Sequence, residues 1–349
     1  MCTSFRLKAD DGTVVVGRTM EFAAELSSQL LAVPAGTAFT GLAPEGTDGA
    51  SWTTSHGYVG MNAFGAALVV DGLNDAGLSV GVLYFPGFVG YQEPAATGNL
   101  APEEVANFLL GTCATVDEVR EAIATVRVWG HRFGPLGASL PLHYVVNDRS
   151  GAALVIEHVD GELRLHDNPL GVVTNAPPFD WHLTNLRNFT KLTANNVPGI
   201  ELDGQSIHPL GQGSGLLGLP GDWTPPSRFV RAVVLSYAAH HGADAAAAAR
   251  VANHLLYALD IPLGVVREHG EGGPEELTQW ATITDLENGQ LHVRFYGDPF
   301  IHQVGVAEAL AVAVDGPTLV PLTDPTGPWT VPVDLSLAAP IDLAASPFA

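Results

Sequence analysis

The stretch Met1-Cys2-Thr3-Ser4-Phe5-Arg6-Leu7-Lys8-Ala9, followed by Asp10-Asp11-Gly12 and Thr13-Val14-Val15-Val16-Gly17, determines how the chain begins. Apolar and polar residues alternate from Phe5 to Ala9, which is typical of a strand with one buried face. Asp-Asp-Gly is a turn sequence, and the β-branched run after it predicts a second strand paired with the first. We therefore expect the chain to open with a β-hairpin whose first strand starts at Cys2.

The length and composition indicate a globular protein. The chain has 349 residues, of which 46% are apolar and only 15% charged, so a disordered or coiled-coil chain is excluded. We expect a single domain over residues 2–349, ending in a proline-rich segment from about residue 303. The 15 basic and 37 acidic residues give a net charge of −22, which disfavours nucleic acid and anionic membrane surfaces as partners.

Cysteine and histidine usage points to a protein without disulfides or metal. Cys2 and Cys113 cannot form a disulfide framework, which is compatible with a reducing compartment. The first residues lack the apolar core of a signal peptide, so we expect a cytoplasmic location. None of the thirteen histidines has metal-ligand spacing on a helix, so we expect no metal site.

The order of predicted elements is strands, helices, strands, helices, strands. This order favours an α+β fold in which helices pack on antiparallel sheets over a repeating β-α-β unit. Two short motifs suggest other classes but lack the required context. Gly213–Gly218 matches GxGxxG but lies in a predicted loop, and Ser79 in the GxSxG match 77–81 lies within a predicted strand.

Cys2 is the candidate nucleophile. A small residue after the initiator permits removal of Met1, which leaves Cys2 with both a thiol and a free α-amine. Model-peptide thiols titrate near ~8.5 and α-amines near ~7.7–8.0, so the amine can accept the thiol proton near neutral pH. A second residue is otherwise often part of a frayed terminus. A strand that starts at Cys2 favours the catalytic interpretation.

Two charged residues follow at the end of the second predicted strand, in Gly17-Arg18-Thr19-Met20-Glu21-Phe22. Arg18 would stabilise a thiolate, and the Glu21 carboxylate would hold the amine. The alternative is an ordinary exposed ion pair, which contributes little.

Two further polar residues are candidates for the same site. Asn175 follows a predicted strand at 170–174 and could supply oxyanion donors, although an isolated asparagine is more often a turn residue. Arg228 lies in the first turn of a helix that Ser227 would cap. A basic residue is unfavourable at that end of a helix, which favours a role for Arg228 away from solvent.

Taken together, these residues resemble the choloylglycine hydrolase family, which includes conjugated bile acid hydrolases and penicillin V acylases and belongs to the N-terminal nucleophile hydrolases. The resemblance runs from about Cys2 to Gly297, and it is the ordered set of short matches that is specific. These are residues 2–3, 17–21, 74–78, 84–87, 110–116, 173–177, 186–189, 217–222, 227–229 and 278–280. The resemblance implies a four-layer αββα sandwich and a homotetramer.

The resemblance also implies roles for individual residues. Cys2 corresponds to the nucleophile, Arg18 to the arginine beside the thiol, Asn175 to the oxyanion asparagine and Arg228 to a second active-site arginine. Glu21 stands where the family normally has aspartate, which is one methylene shorter.

The implied chemistry is amide hydrolysis through a thioester, without metal or cofactor, on a small molecule with an apolar acyl group. Oxyanion donors would come from Asn175 and from a backbone N–H near Tyr84. Apolar residues on predicted loops are candidates for an acyl pocket, with core packing as the alternative for each. These are Met20, Phe22, Met61, Phe64, Tyr84, Trp129 and Phe133.

The residue at position 84 bears on the substrate. Bile salt hydrolases carry asparagine there and penicillin V acylases carry tyrosine, so Tyr84 favours phenoxyacetyl penicillin or an N-acyl homoserine lactone. Conjugated bile acids remain the alternative. Because Glu21 departs from the pattern, a catalytically silent protein that binds such molecules is the second alternative, and retention of Met1 would favour it.

Overall fold

The computed structural model describes residues 1–134, 137–267 and 273–322, which form twenty strands and six α-helices. The strands are β1 (Cys2–Lys8), β2 (Val14–Phe22), β3 (Leu30–Val33), β4 (Ala38–Thr40), β5 (Ser51–Thr53), β6 (Tyr58–Asn62), β7 (Val69–Asn74), β8 (Ser79–Tyr84), β9 (Asn99–Leu100), β10 (Arg127–Val128), β11 (Leu142–Asn147), β12 (Ala153–Val159), β13 (Glu162–Asp167), β14 (Ile200–Leu202), β15 (Gln205–Ile207), β16 (Val266–Arg267), β17 (Glu275–Asp285), β18 (Gln290–Phe295), β19 (Asp298–Gly305) and β20 (Thr318–Val320). The helices are α1 (Val105–Thr112), α2 (Val116–Ile123), α3 (Phe179–Leu186), α4 (Pro225–Ala238), α5 (Ala245–Tyr257) and α6 (Val306–Val312).

The predicted opening hairpin is present as β1 and β2. The two strands pair antiparallel with Cys2 opposite Met20, which places both side chains on one face of the sheet. Further along, Phe5 lies opposite Gly17, and its ring occupies the space that a side chain at position 17 would fill. The hairpin is buried along most of its length, so Cys2 starts a fixed strand.

Two antiparallel sheets form the centre of the fold. The first has the order β1-β2-β17-β18-β19, with β16 paired to β17. The second has eight strands in the order β13-β12-β11-β8-β7-β6-β3-β20. Buried apolar side chains of the two facing surfaces pack together, including Met20 from the first sheet and Met61 and Leu83 from the second.

Helices cover the outer faces of both sheets. Helices α4 and α5 pack on β1, β2 and β17, and α1 packs on β7 and β8. A second apolar cluster lies between the eight-stranded sheet and α1 and α2, and it includes Val82, Leu109 and Leu142. The layers are therefore helix, sheet, sheet, helix, which confirms the predicted αββα sandwich.

The described part of the C-terminal segment is ordered into regular structure. After β19, α6 packs against β3 and β6, and β20 pairs with β3 at the edge of the eight-stranded sheet. The remaining proline-rich residues, 323–349, lie outside the described residues. Among the described helices, none is long and apolar enough to cross a membrane.

Candidate active site

The Cys2 thiol lies at the end of the opening hairpin and is buried. Its Sγ is 3.8 Å from the Met20 sulfur and 3.7 Å from Nη2 of Arg18. Arg18 is two residues from Met20 on β2, so all three side chains lie on the same face of the hairpin. The predicted pairing of this cysteine and this arginine is therefore present in the structure.

Arg18 is fully buried and is held by the eight-stranded sheet. Its guanidinium pairs with Oδ1 of Asp71 at 3.3 Å and donates to the carbonyls of Val70 and Val82. Burial lowers the pKa of Arg18, but the charges of Asp71 and Cys2 outweigh this and raise it overall. Arg18 therefore stays a cation beside the thiol, and Asp71 fixes its position.

Asn175 connects three parts of the site. Its Oδ1 accepts from the Cys2 backbone N–H at 3.0 Å and from Nη2 of Arg228 at 2.6 Å. Its Nδ2 donates to the Tyr84 carbonyl at 2.7 Å, which leaves the other Nδ2 hydrogen uncommitted among the described residues. An amide N–H in this position is a suitable donor to an oxyanion that forms next to Cys2.

The loop that carries Asn175 differs from the prediction. Residues 170–174 do not form a strand, because only Val173 pairs with Ser4, through two reciprocal hydrogen bonds of 2.9 Å. Two buried histidines hold the loop instead. His182 Nε2 donates to the Asn175 carbonyl at 2.9 Å, and His143 Nε2 donates to the Thr174 carbonyl at 3.0 Å.

Arg228 is also fully buried, on α4. This helix begins at Pro225, so Ser227 lies inside it and is not its cap. The Arg228 guanidinium donates to the Cys2 carbonyl, to Oγ1 of Thr3 at 2.6 Å and to Asn175. Its contacts are thus with the backbone of the nucleophile and with the asparagine, and the structure brings the predicted residues together.

Glu21 lies on the opposite face of β2 from Arg18 and is completely buried. Its Oε1 accepts from Oγ1 of Thr278 at 2.7 Å, and its Oε2 has no hydrogen-bond partner among the described residues. Burial raises the pKa of the Glu21 carboxyl, although Arg228 and the terminal amine lower it in part. Among the described residues the Glu21 carboxylate forms no hydrogen bond with the Cys2 nitrogen, which donates to Asn175 instead, so the predicted contact with the amine stays a prediction.

Met1 occupies the space next to this carboxylate. Its amine donates to the Glu21 carbonyl at 2.6 Å and to Oε2 of Glu276 at 2.8 Å. While Met1 is attached, the nitrogen of Cys2 is an amide and cannot act as a base. Removal of Met1 would create the α-amine 3.0 Å from Oδ1 of Asn175, where the Cys2 nitrogen already lies.

A cleft opens at Cys2 and encloses about 690 Å³ of space not occupied by protein atoms, its mouth included. Its wall is mainly apolar and contains most of the predicted acyl-pocket residues. These are Met20, Phe22, Phe64, Tyr84 and Phe133. The four aromatic rings of this set form a continuous row of contacts. The ring centroid of Phe22 lies 6.3 Å from that of Tyr84 and 6.5 Å from that of Phe64, and the centroid of Phe64 lies 5.9 Å from that of Phe133.

Two predicted pocket residues lie elsewhere. Met61 is fully buried in β6, where its side chain belongs to the core between the two sheets. Trp129 follows β10 and donates its indole N–H to the Leu42 carbonyl at 2.9 Å. Neither of these residues lines the cleft.

Sequence reasoning missed other residues of the site. Asp71 pairs with Arg18, and Thr278 donates a hydrogen bond to Glu21. Glu103 lies in the cleft wall. The signal for Asp71 was a single carboxylate within the apolar strand Val69-Val70-Asp71-Gly72-Leu73, since a buried charge needs a partner. The two motifs that the sequence analysis set aside lack the required context here too. Ser79 of the GxSxG match lies in β8, and the GxGxxG match Gly213–Gly218 contains only the short 3-10 turn Ser214–Leu216.

Comparison with known proteins shows where this site belongs. Residues 2–319 match the family model described as linear amide C-N hydrolases, choloylglycine hydrolase family. The chain belongs to the choloylglycine hydrolase family. It is 31% identical over 312 residues to a bile salt hydrolase/transferase of Clostridium perfringens, a match that covers 87% of this chain and 92% of that protein.

Solved structures agree with this assignment. The crystal structure of the C2A mutant of conjugated bile acid hydrolase from Clostridium perfringens has a TM-score of 0.80 and 26% identity, and covers 96% of this chain and 99% of the other. Penicillin V acylase from Agrobacterium tumefaciens shares the fold, with a TM-score of 0.72, 22% identity and coverage of 88% and 87%. As a choloylglycine hydrolase family member, the protein is a hydrolase of linear amide C–N bonds.

Proposed function

We propose that the chain, after loss of Met1, cleaves the secondary amide of a small molecule with an apolar acyl group, using Cys2 as the nucleophile. The observation that carries this proposal is the position of the Cys2 sulfur, in the wall of an apolar cleft and 3.7 Å from the buried guanidinium of Arg18. The cleft accepts the acyl group, and the cation stabilises the thiolate that attacks it.

The reaction follows from these groups. The Cys2 sulfur attacks the acyl carbonyl and passes its proton to the α-amine, and Asn175 Nδ2 and a backbone N–H near Tyr84 stabilise the oxyanion. The C–N bond then breaks, and the leaving amine takes up the proton. The α-amine next removes a proton from water, which attacks the thioester, releases the acid and restores the thiol.

The substrate we favour is an N-acyl amide of the penicillin V type or an N-acyl homoserine lactone. Tyr84 supports this choice, because the resemblance assigns tyrosine at this position to penicillin V acylases. The edge-to-face contact between Tyr84 and Phe22 places aromatic surfaces next to Met20 and Cys2, where a phenoxy ring or an alkyl chain would bind.

Conjugated bile acids are the second candidate. The support comes from the relatives named above, one of which is a bile salt hydrolase/transferase that matches over most of both chains. The apolar cleft is compatible with a steroid as well as with an alkyl chain. A homotetramer and a cytoplasmic location remain predictions from the sequence.

The experiment that tests the proposal measures amine release from penicillin V, a long-chain acyl homoserine lactone, glycocholate and taurocholate. The Cys2→Ala variant should lose turnover. Cys113→Ala is a matched control, because burial raises the pKa of Cys113 to about 11 and this thiol lies outside the cleft. Equal turnover in the wild type and Cys2→Ala would contradict the proposal, and binding without turnover would favour the silent binding protein.

A further inference from the structure

The far part of the cleft contains a carboxylate that the proposed hydrolysis does not use. Glu103 precedes α1, lines the cleft and is only 6% exposed. One carboxylate oxygen contacts Nδ1 of His131, while Oε2 is buried and has no hydrogen-bond partner among the described residues. An unpaired buried carboxylate oxygen is costly, so its position in a ligand cleft requires an explanation.

Neighbouring donors do not satisfy this oxygen. Tyr91 donates its hydroxyl to the Leu140 carbonyl at 2.5 Å, and Tyr144 donates its hydroxyl to the Pro102 carbonyl at 2.7 Å. Both hydroxyl protons are therefore committed to backbone. Within the part of the chain that the structure describes, His131 is the one donor to Glu103.

Glu103 lies on the other side of the eight-stranded sheet from the nucleophile. Cys2 and Met20 belong to the apolar cluster between the two sheets. Val82 and Leu142 belong to the second apolar cluster, between the eight-stranded sheet and helices α1 and α2. All four line the cleft, so the cleft passes from one cluster to the other. Glu103 lies in the helical turn Pro102–Glu104 that leads into α1, so it is on the α1 side of the cleft, whereas Cys2 is on the side of the first sheet.

We propose that Glu103, oriented by His131, forms a polar subsite that binds a hydroxyl group at the far end of an otherwise apolar acyl group. This inference rests on the proposed function for the identity of the acyl ligand. A hydroxyl donates one hydrogen bond to Oε2 and costs less to desolvate than an ammonium group in an apolar cleft. An acyl group without a donor leaves Oε2 unpaired, so the subsite discriminates against it.

The test measures binding of free fatty acids to the Cys2→Ala protein, in pairs with and without a terminal hydroxyl, over a series of chain lengths. At the length that reaches Glu103, we expect the hydroxylated acid to bind about tenfold more tightly. Glu103→Leu should abolish this preference, and the isosteric Glu103→Gln, which keeps an acceptor oxygen, should retain part of it. Glu104→Gln is the matched control, because Glu104 instead accepts from the backbone N–H groups of Leu42 and Ala101.

Hydrolysis of the corresponding acyl homoserine lactones by the wild type separates the two proposals. Turnover with no preference at any chain length, or a preference that survives Glu103→Leu, would overturn the subsite and leave the hydrolase intact. A Glu103-dependent binding preference without turnover would support the subsite and contradict N-acyl homoserine lactones as substrates.

Discussion

The guanidinium of Arg18 lies 3.7 Å from the sulfur of Cys2 and simultaneously pairs with Asp71 at 3.3 Å. The thiol and the arginine come from the hairpin of one sheet, and the carboxylate comes from β7 of the other. The nucleophile is therefore positioned by an ion pair that bridges the two sheets. Chemistry and stability are coupled at this point, and they can be separated by mutation.

Arg18→Leu should lower kcat/KM by at least about a hundredfold, because the thiolate loses its adjacent cation. It should also reduce the free energy of unfolding by about 3–5 kcal/mol, since Asp71 is left as an unpaired buried charge. The double variant Arg18→Leu/Asp71→Leu should recover much of the stability but none of the activity. Activity that returns together with stability would show that Arg18 acts only on the fold. Steady-state kinetics and urea unfolding measure the two effects.

Asn175→Ala should lower kcat about a hundredfold to a thousandfold, because it removes an oxyanion donor and the acceptor that holds the Cys2 nitrogen. The matched control is Asn168→Ala. Asn168 is a buried asparagine in the same loop, but its amide donates to the Val172 carbonyl at 3.2 Å and not toward Cys2. Both variants should lose stability, and only Asn175→Ala should lose turnover. Similar kcat values for the two variants would contradict the assigned role.

Thr278→Val should move the acid limb of the pH–activity profile to higher pH. Burial raises the pKa of Glu21, and the hydrogen bond from Thr278 opposes this rise by stabilising the ionised form. Loss of that bond raises the pKa of Glu21 further, so the carboxylate is protonated at a higher pH as the pH falls. Thr278→Ser keeps the hydroxyl and should leave the limb in place. A profile unchanged in Thr278→Val would show that Glu21 ionisation does not limit activity.

His158→Leu should make the protein less sensitive to acid. Burial lowers the pKa of His158 to about 4, and neither ring nitrogen has a partner among the described residues. The unfolded chain takes up a proton below its ordinary pKa of 6.5, whereas the folded chain does so only near 4. The contribution of His158 to the free energy of unfolding is therefore fully present above pH 6.5. It falls by about 3 kcal/mol as the pH drops toward 4. Urea unfolding at about pH 4.5 and about pH 7.5 gives the free energy of unfolding of the variant relative to that of the wild type, and this difference should favour the variant more at the lower pH. An equal difference at both pH values would contradict the assigned role of His158.

Local sequence patterns predicted the features that local interactions determine. Alternation and a turn sequence were sufficient for the hairpin β1–β2, and the register of that hairpin brings Cys2, Met20 and Arg18 together. The predicted acyl-pocket set was correct only in part, since Met61 and Trp129 do not line the cleft. Met61 belongs to the core between the sheets, because its strand is buried on both sides.

Features that depend on distant residues were not predictable in this way. Glu103 and Glu104 looked equivalent as acids at a helix start, yet only Glu104 accepts backbone hydrogen bonds there, while Glu103 turns into the cleft. The partner of Arg18, Asp71, is 53 residues away along the chain and on the other sheet. Tertiary packing of the two sheets decides both placements, and periodicity carries no information about it.

The central claim is that the α-amine of Cys2 is free and that its sulfur carries the acyl group during turnover. Mass spectrometry of the intact protein and of its proteolytic peptides, after the protein is quenched in acid while it hydrolyses penicillin V or an acyl homoserine lactone, tests this claim directly. We expect a chain that lacks Met1 and carries one acyl group on the peptide that begins with Cys2. A turning-over chain that retains Met1, or an acyl group on any other residue, would contradict it.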